Sequence, residues 1–63
     1  MPDLSIFSFA TLANMYREAV KAYADNHDDW KAAVDLFTQI NNYMFENHEL
    51  RWKSQLRAWG YPS

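Results

Sequence analysis

The sequence predicts an all-α chain folded as a helical hairpin. Three observations carry that expectation. No glycine or proline occurs from Asp3 to Trp59, so nothing there obliges the backbone to leave a helix. Apolar residues recur at three- and four-residue spacing, the period of one helix face. Alternation at period two is missing, as are the Asn-Gly and Asp-Gly pairs that close tight β-hairpins.

The expected short helix covers about 8–25, preceded by an N-terminal arm, 1–7. Ser5 or Ser8 suits its start, because a serine hydroxyl accepts a bond from a first-turn N–H that has no helical partner. Phe9, Leu12, Tyr16, Ala19 and Tyr23 then form one stripe, widened by Met15 and Val20. Arg17, Glu18 and Lys21 fall off it, on the solvent side. The run Asp25-Asn26-His27-Asp28-Asp29 interrupts the period with turn and cap formers. Asn26 or Asp28 can cap the next helix, and Asp28 and Asp29 suit its positive N-terminal end.

The expected long helix runs from about 29 to 59. Gly60 supplies the left-handed residue that ends helices, and Pro62 cannot continue one, so 60–63 reads as a C-terminal cap. Such a helix is about 45 Å long, against about 25–30 Å for the first. Its distal part, Glu46 to Trp59, would therefore lack a partner within the chain. A break at Glu46-Asn47-His48 is the alternative, giving a third helix of about twelve residues with Asn47 as its N-cap.

Two apolar faces emerge on the long helix. The wide one holds Trp30, Ala33, Val34, Phe37, Ile40 and Met44, and further on Phe45, Trp52, Leu56 and Trp59. The second is Leu36, Tyr43 and Leu50, spaced by seven, with Ile40 and Asn47 between them. That is a short coiled-coil-like seam with one polar layer, and it predicts self-association through Leu36, Ile40, Tyr43, Asn47 and Leu50. Asn41, His48 and Gln55 also repeat by seven inside the wide arc. They are expected to face solvent or to bond between helices, or else to set the register of a self-associated bundle.

At 63 residues the chain is one small domain, and 49% hydrophobic content excludes a disordered tail. It has no cysteine, hence no disulfide or thiolate-zinc staple. A core of this size supplies only about 3–5 kcal/mol, so a homo-oligomer or a place in a larger complex is expected. The net charge of −2 argues against generic nucleic-acid or membrane-surface binding. No apolar run approaches the roughly 20 residues of a membrane span, and the start lacks a basic, cleavable leader, so a cytoplasmic location is the default.

Signals for catalysis are poor. The serines occupy helix starts, a helix tail and the terminus, with no glycine-rich loop or nucleophile elbow. His27-Asp28-Asp29 and Glu46-x-His48-Glu49 are the only ligand-like clusters, and neighbouring side chains point different ways. No metal, cofactor or enzymatic activity is expected.

The segment Arg51-Trp52-Lys53-Ser54-Gln55-Leu56-Arg57-Ala58-Trp59 interleaves three cations with two tryptophans. Tryptophan and arginine are the residues most enriched at binding hot spots. Phe45, Arg51, Trp52, Lys53, Leu56, Arg57 and Trp59 are therefore the candidate partner-binding residues. The plain alternative makes Trp52, Leu56 and Trp59 ordinary core. The expected function is a non-catalytic protein-interaction module, acting as adaptor, inhibitor or accessory subunit. The competing reading is an RNA- or DNA-binding helical homodimer using Arg51, Lys53 and Arg57.

In length and helix–turn–helix layout the chain is similar to two kinds of small hairpin. One is the plasmid copy-number dimer that binds paired RNA loops. The other is the cyanobacterial non-bleaching adaptor that engages phycobilisomes and tends to end its long helix in Trp-Gly, as Trp59-Gly60 does here. No functional motif of either maps onto this chain residue by residue, so membership of neither is inferred.

Overall fold

A computed structural model describes residues 3–25 and 28–61 of the chain, and every regular element in it is helical. A single 3₁₀ turn, Leu4–Ile6, precedes α1, Phe9–Ala24. The turn forms because the Asp3 carboxylate accepts bonds from the Ser5 N–H at 3.0 Å and the Ser5 hydroxyl at 2.6 Å. Those two bonds, the hydroxyl's first, hold the Asp3 carboxyl below its ordinary value. The turn carries Leu4 into the core and leaves Ile6 outside, so the arm folds back over the helices through Leu4 and Phe7.

Ser8 caps α1: its hydroxyl oxygen accepts the Thr11 N–H at 3.2 Å. Helix α2, Trp30–Asn47, starts after Asp29, whose side chain makes no capping bond. The capping role considered for Asn26 lies outside the described residues. The first two helices are antiparallel, with Tyr16 edge-on to Phe37 at 5.9 Å and Tyr23 beside Trp30 at 6.3 Å.

The long helix expected over 29–59 does not form. It breaks at His48 (φ −142°, ψ 42°), and α3, Glu49–Ala58, turns back on the hairpin. Asn47 is not the cap. His48 occupies that position without a side-chain capping bond, while the Asn47 amide donates to the Tyr43 carbonyl at 2.9 Å. Helical bonding runs up to the break from both sides, from His48 N–H to Met44 O at 2.7 Å and from Trp52 N–H to His48 O at 2.8 Å.

Tertiary packing explains the break. Ending α2 leaves the N–H groups of Glu49, Leu50 and Arg51 without a preceding turn, a net cost of about 0.5–1.5 kcal/mol each. Folding back buries Trp52 and Leu56, worth about 1.5–3 kcal/mol each. Edge-on aromatic contacts of Trp52 with Tyr16 (5.0 Å) and Phe9 (6.2 Å) add to that. Burial wins, narrowly.

The end of α3 follows the sequence expectation. Gly60 is left-handed (φ 86°), Gly60 N–H donates to Arg57 O at 3.0 Å, and Tyr61 N–H donates to Leu56 O at 2.9 Å. This is the paired bonding of a Schellman cap. Pro62 lies outside the described residues. A Cβ at Gly60 would meet nothing within 4 Å, so Gly60→Ala is opposed only by its backbone conformation. Denaturant titration should show a loss of about 1–2 kcal/mol.

Leu4, Leu12, Ala13, Ile40, Met44, Trp52 and Leu56 form one continuous core. Its largest fully buried side chains are Trp52, Leu12, Ile40 and Met44, drawn from all three helices. The Cα radius of gyration is 11.4 Å.

Tyr16 packs on this core and faces Tyr61 at 6.0 Å. Burial pushes its phenol above the ordinary value of 10.0, and the Tyr61 phenol adds to that. A raised pKa means the folded state holds the proton more tightly. Its contribution is complete below the unfolded value and is lost as pH rises through the folded one. Thermal melts should therefore weaken above about pH 10, and less so in Tyr16→Phe. Identical alkaline slopes in the two proteins would contradict this.

Candidate functional site

Helix α3 returns along α1 in the same direction, and the two meet through long side chains rather than close backbones. Arg51, early in α3, lies over the Phe9 ring at 4.0 Å, and Arg17, midway along α1, lies over the Trp59 ring at 5.0 Å. Aromatic side chains bridge the two helices, and a groove of about 510 Å³ stays open between them. Its walls come from α1 positions 9, 10, 13, 14 and 17, from α3 positions 51, 54, 55 and 58, and from Trp59 just past the end of α3.

Three small residues, Ala10, Ala13 and Ala58, leave the groove unfilled. Asn14, Ser54 and Gln55 offer hydrogen-bonding groups. Both arginines are exposed, and neither has a carboxylate within salt-bridge distance among the described residues. Each is instead steadied by its ring. Lys53 is different: it pairs with Glu49 at 3.2 Å. Arg57 is exposed and also has no acidic partner among the described residues.

The candidate partner-binding residues therefore divide. Trp52 has 0% exposure, and its indole N–H donates to Asn41 Oδ1 on α2 at 3.0 Å. Leu56 is buried beside it. In this fold neither presents a side chain to a partner, because the break at His48 delivers both to the chain's own core. Phe45 packs half-buried on that core, and Trp59 covers its edge against Trp52 at 5.9 Å. Arg51, Lys53 and Arg57 point outward.

The expected self-association seam is also divided. Ile40 is fully buried, while Leu36 and Tyr43 pack partly on the core. Asn47 is exposed, and Leu50, on the far side of the break, is 80% exposed. Without a continuous helix the seven-residue spacing describes no single surface. Leu36 instead edges an alanine-lined cleft between α1 and α2, with Met15, Ala19, Ala22, Ala32 and Ala33. Of the polar repeat, Asn41 makes the bond between helices, and the His48 ring lies at the junction, 5.6 Å from Phe9 and 6.1 Å from Tyr43.

Arg17 and Phe9 are the site residues that the sequence pattern did not single out. Arg17 reads locally as a solvated cation, and only the return of α3 brings it to Trp59.

No protein-family model matches the chain, and comparison with curated proteins and with solved structures gives no match either. The site is accordingly read from its own chemistry. No helix among the described residues is long and apolar enough to cross a membrane, and none of their His, Asp and Glu side chains gather into a metal-holding cluster of three.

Proposed function

We propose that the chain is a small non-catalytic protein-interaction module that docks through the outward side of α3. The observation that carries this reading is the division of labour within α3. Its apolar face is committed to the core through Trp52 and Leu56, yet the helix still displays Leu50 beside Arg51, with Arg57 also without an acidic partner among the described residues. Arginine is enriched at protein interfaces, and the exposed leucine beside it adds apolar area that a partner would bury. An adaptor, an inhibitor and an accessory subunit of a larger assembly would each use such a patch.

Affinity capture from cells that make the protein tests this. The wild type should retain a discrete polypeptide, and Leu50→Glu and Arg57→Glu should each lose it. Asp35→Lys, an exposed change on α2, should not. Capture of nucleic acid in place of protein, with a steep loss on raising salt, would favour the RNA- or DNA-binding reading. Equal capture by all variants would place the contact elsewhere.

A further inference from the structure

We propose that the groove between α1 and α3 is a docking site for an acidic helical segment of a partner protein, with Arg17 and Arg51 each engaging a carboxylate. This rests on the protein-docking reading above and extends its surface: Arg51 belongs to both, while Leu50 and Arg57 lie beside the groove rather than in its lining. Arg17 and Arg51 line opposite ends of the groove, and each is held on a ring, over Trp59 and over Phe9. Phe9 to Arg17 on α1, and Arg51 on α3 to Trp59 at its C-cap, are each eight residues apart, about 12 Å along a helix. Two carboxylates about two turns apart on one face of a helix match that separation.

The groove between them suits a helix as well. Ala10, Ala13 and Ala58 allow close approach of a second backbone, and Ser54 and Gln55 can bond polar groups at its edge. An arginine fork takes a carboxylate through two parallel bonds, and a guanidinium already resting on a ring has less freedom to lose. Neither guanidinium has an acidic partner among the described residues, so a ligand carboxylate displaces no existing ion pair.

The same geometry disfavours single-stranded nucleic acid. Bases bind such surfaces by stacking on open aromatic faces. Here the rings of Phe9 and Trp59 are occupied by Arg51 and Arg17. Lys53 is paired with Glu49, so the cations of α3 do not make an unbroken basic stripe.

Fluorescence anisotropy on the intact chain tests the proposal. The probe is a labelled alanine-based helical peptide with two glutamates about two turns apart. Controls are the same peptide with glutamines and a labelled short oligouridylate. The glutamate peptide should bind, and Arg17→Met and Arg51→Met should each weaken it about tenfold, the loss expected of one charge-assisted bond. Both variants keep a stem that can cover the ring, and circular dichroism checks that each still folds. Arg17→Lys and Arg51→Lys, which retain charge but not the fork, should give intermediate losses and serve if a methionine variant unfolds.

Equal binding of the glutamine peptide, indifference to the arginine substitutions, or no binding of the glutamate peptide would each overturn the proposal. Tighter binding of oligouridylate would overturn it in favour of nucleic acid. A dimer of the free chain that the two methionine substitutions dissolve would make a second copy the occupant instead. The broader reading fails separately. If the wild type captures a cellular partner and the double methionine variant captures it equally, docking stands and the groove assignment falls. If the wild type captures nothing, docking itself falls.

Discussion

Trp52→Ala is expected to unfold the chain. The side chain is fully buried, meets Phe9, Tyr16 and Trp59 edge-on, and donates its indole N–H to Asn41 on another helix. Truncating a buried tryptophan costs about 3–5 kcal/mol, which equals the roughly 3–5 kcal/mol that a core of this size supplies. Helical circular dichroism at room temperature should largely vanish. Trp52→Phe separates the two contributions, since it keeps an aromatic ring but leaves Asn41 Oδ1 without its donor. A loss of about 1–3 kcal/mol is expected there, with a cooperative melt retained. If Trp52→Ala melted like the wild type, the indole would not be core, and the folding-back of α3 would be wrong.

The second large effect compares two leucines given the same substitution. Leu12 on α1 has 0% exposure within the core, and Leu50 on α3 has 80%. Leu12→Ala should cost about 2.7–5 kcal/mol, depending on how far the neighbouring side chains collapse into the space. Leu50→Ala should fall within about 0.5 kcal/mol of the wild type. Urea titrations of the two variants read both values directly. A substantial destabilisation by Leu50→Ala would mean that this side chain is covered in solution, as it would be in a self-associated form.

The parts of the fold legible in the sequence are those governed by local chemistry. Ser8 caps α1 because a hydroxyl at that point answers a free N–H, and Gly60 ends α3 because glycine takes the left-handed backbone there without steric cost. Leu12 and Ala19 follow the stripe that the spacing marks. The break at His48 has no comparable signal. Neither glycine nor proline is near, and the backbone bonding is helical up to the junction on both sides. What decides it is the burial of Trp52 and Leu56 in the core built by α1 and α2 together, a balance between long-range contacts that no local window contains.

The site shares that history. Arg51 and Trp59 stand out in sequence as a cation and a tryptophan in one segment. Their ring and cation partners, Phe9 and Arg17, lie some forty residues away on α1. Trp52 stands out equally, yet its role is reversed by packing, from expected contact residue to the centre of the core. Only the alternative with a break near Asn47 leads to the observed arrangement.

The account turns on α3 lying alongside α1, and a distance between spin labels tests that directly. Because the chain has no cysteine, Asn14→Cys and Ser54→Cys give a doubly labelled protein without background. Both positions line the same groove, so the electron paramagnetic resonance spectrum should be strongly broadened. That broadening should persist when labelled chains are diluted with unlabelled ones. An unbroken helix would carry Ser54 well past α1. Tyr16 lies opposite Phe37, so residue 54 would sit about 22 Å beyond Asn14 along the axis. A distance at or above that value, or a broadening abolished by dilution, would contradict the account.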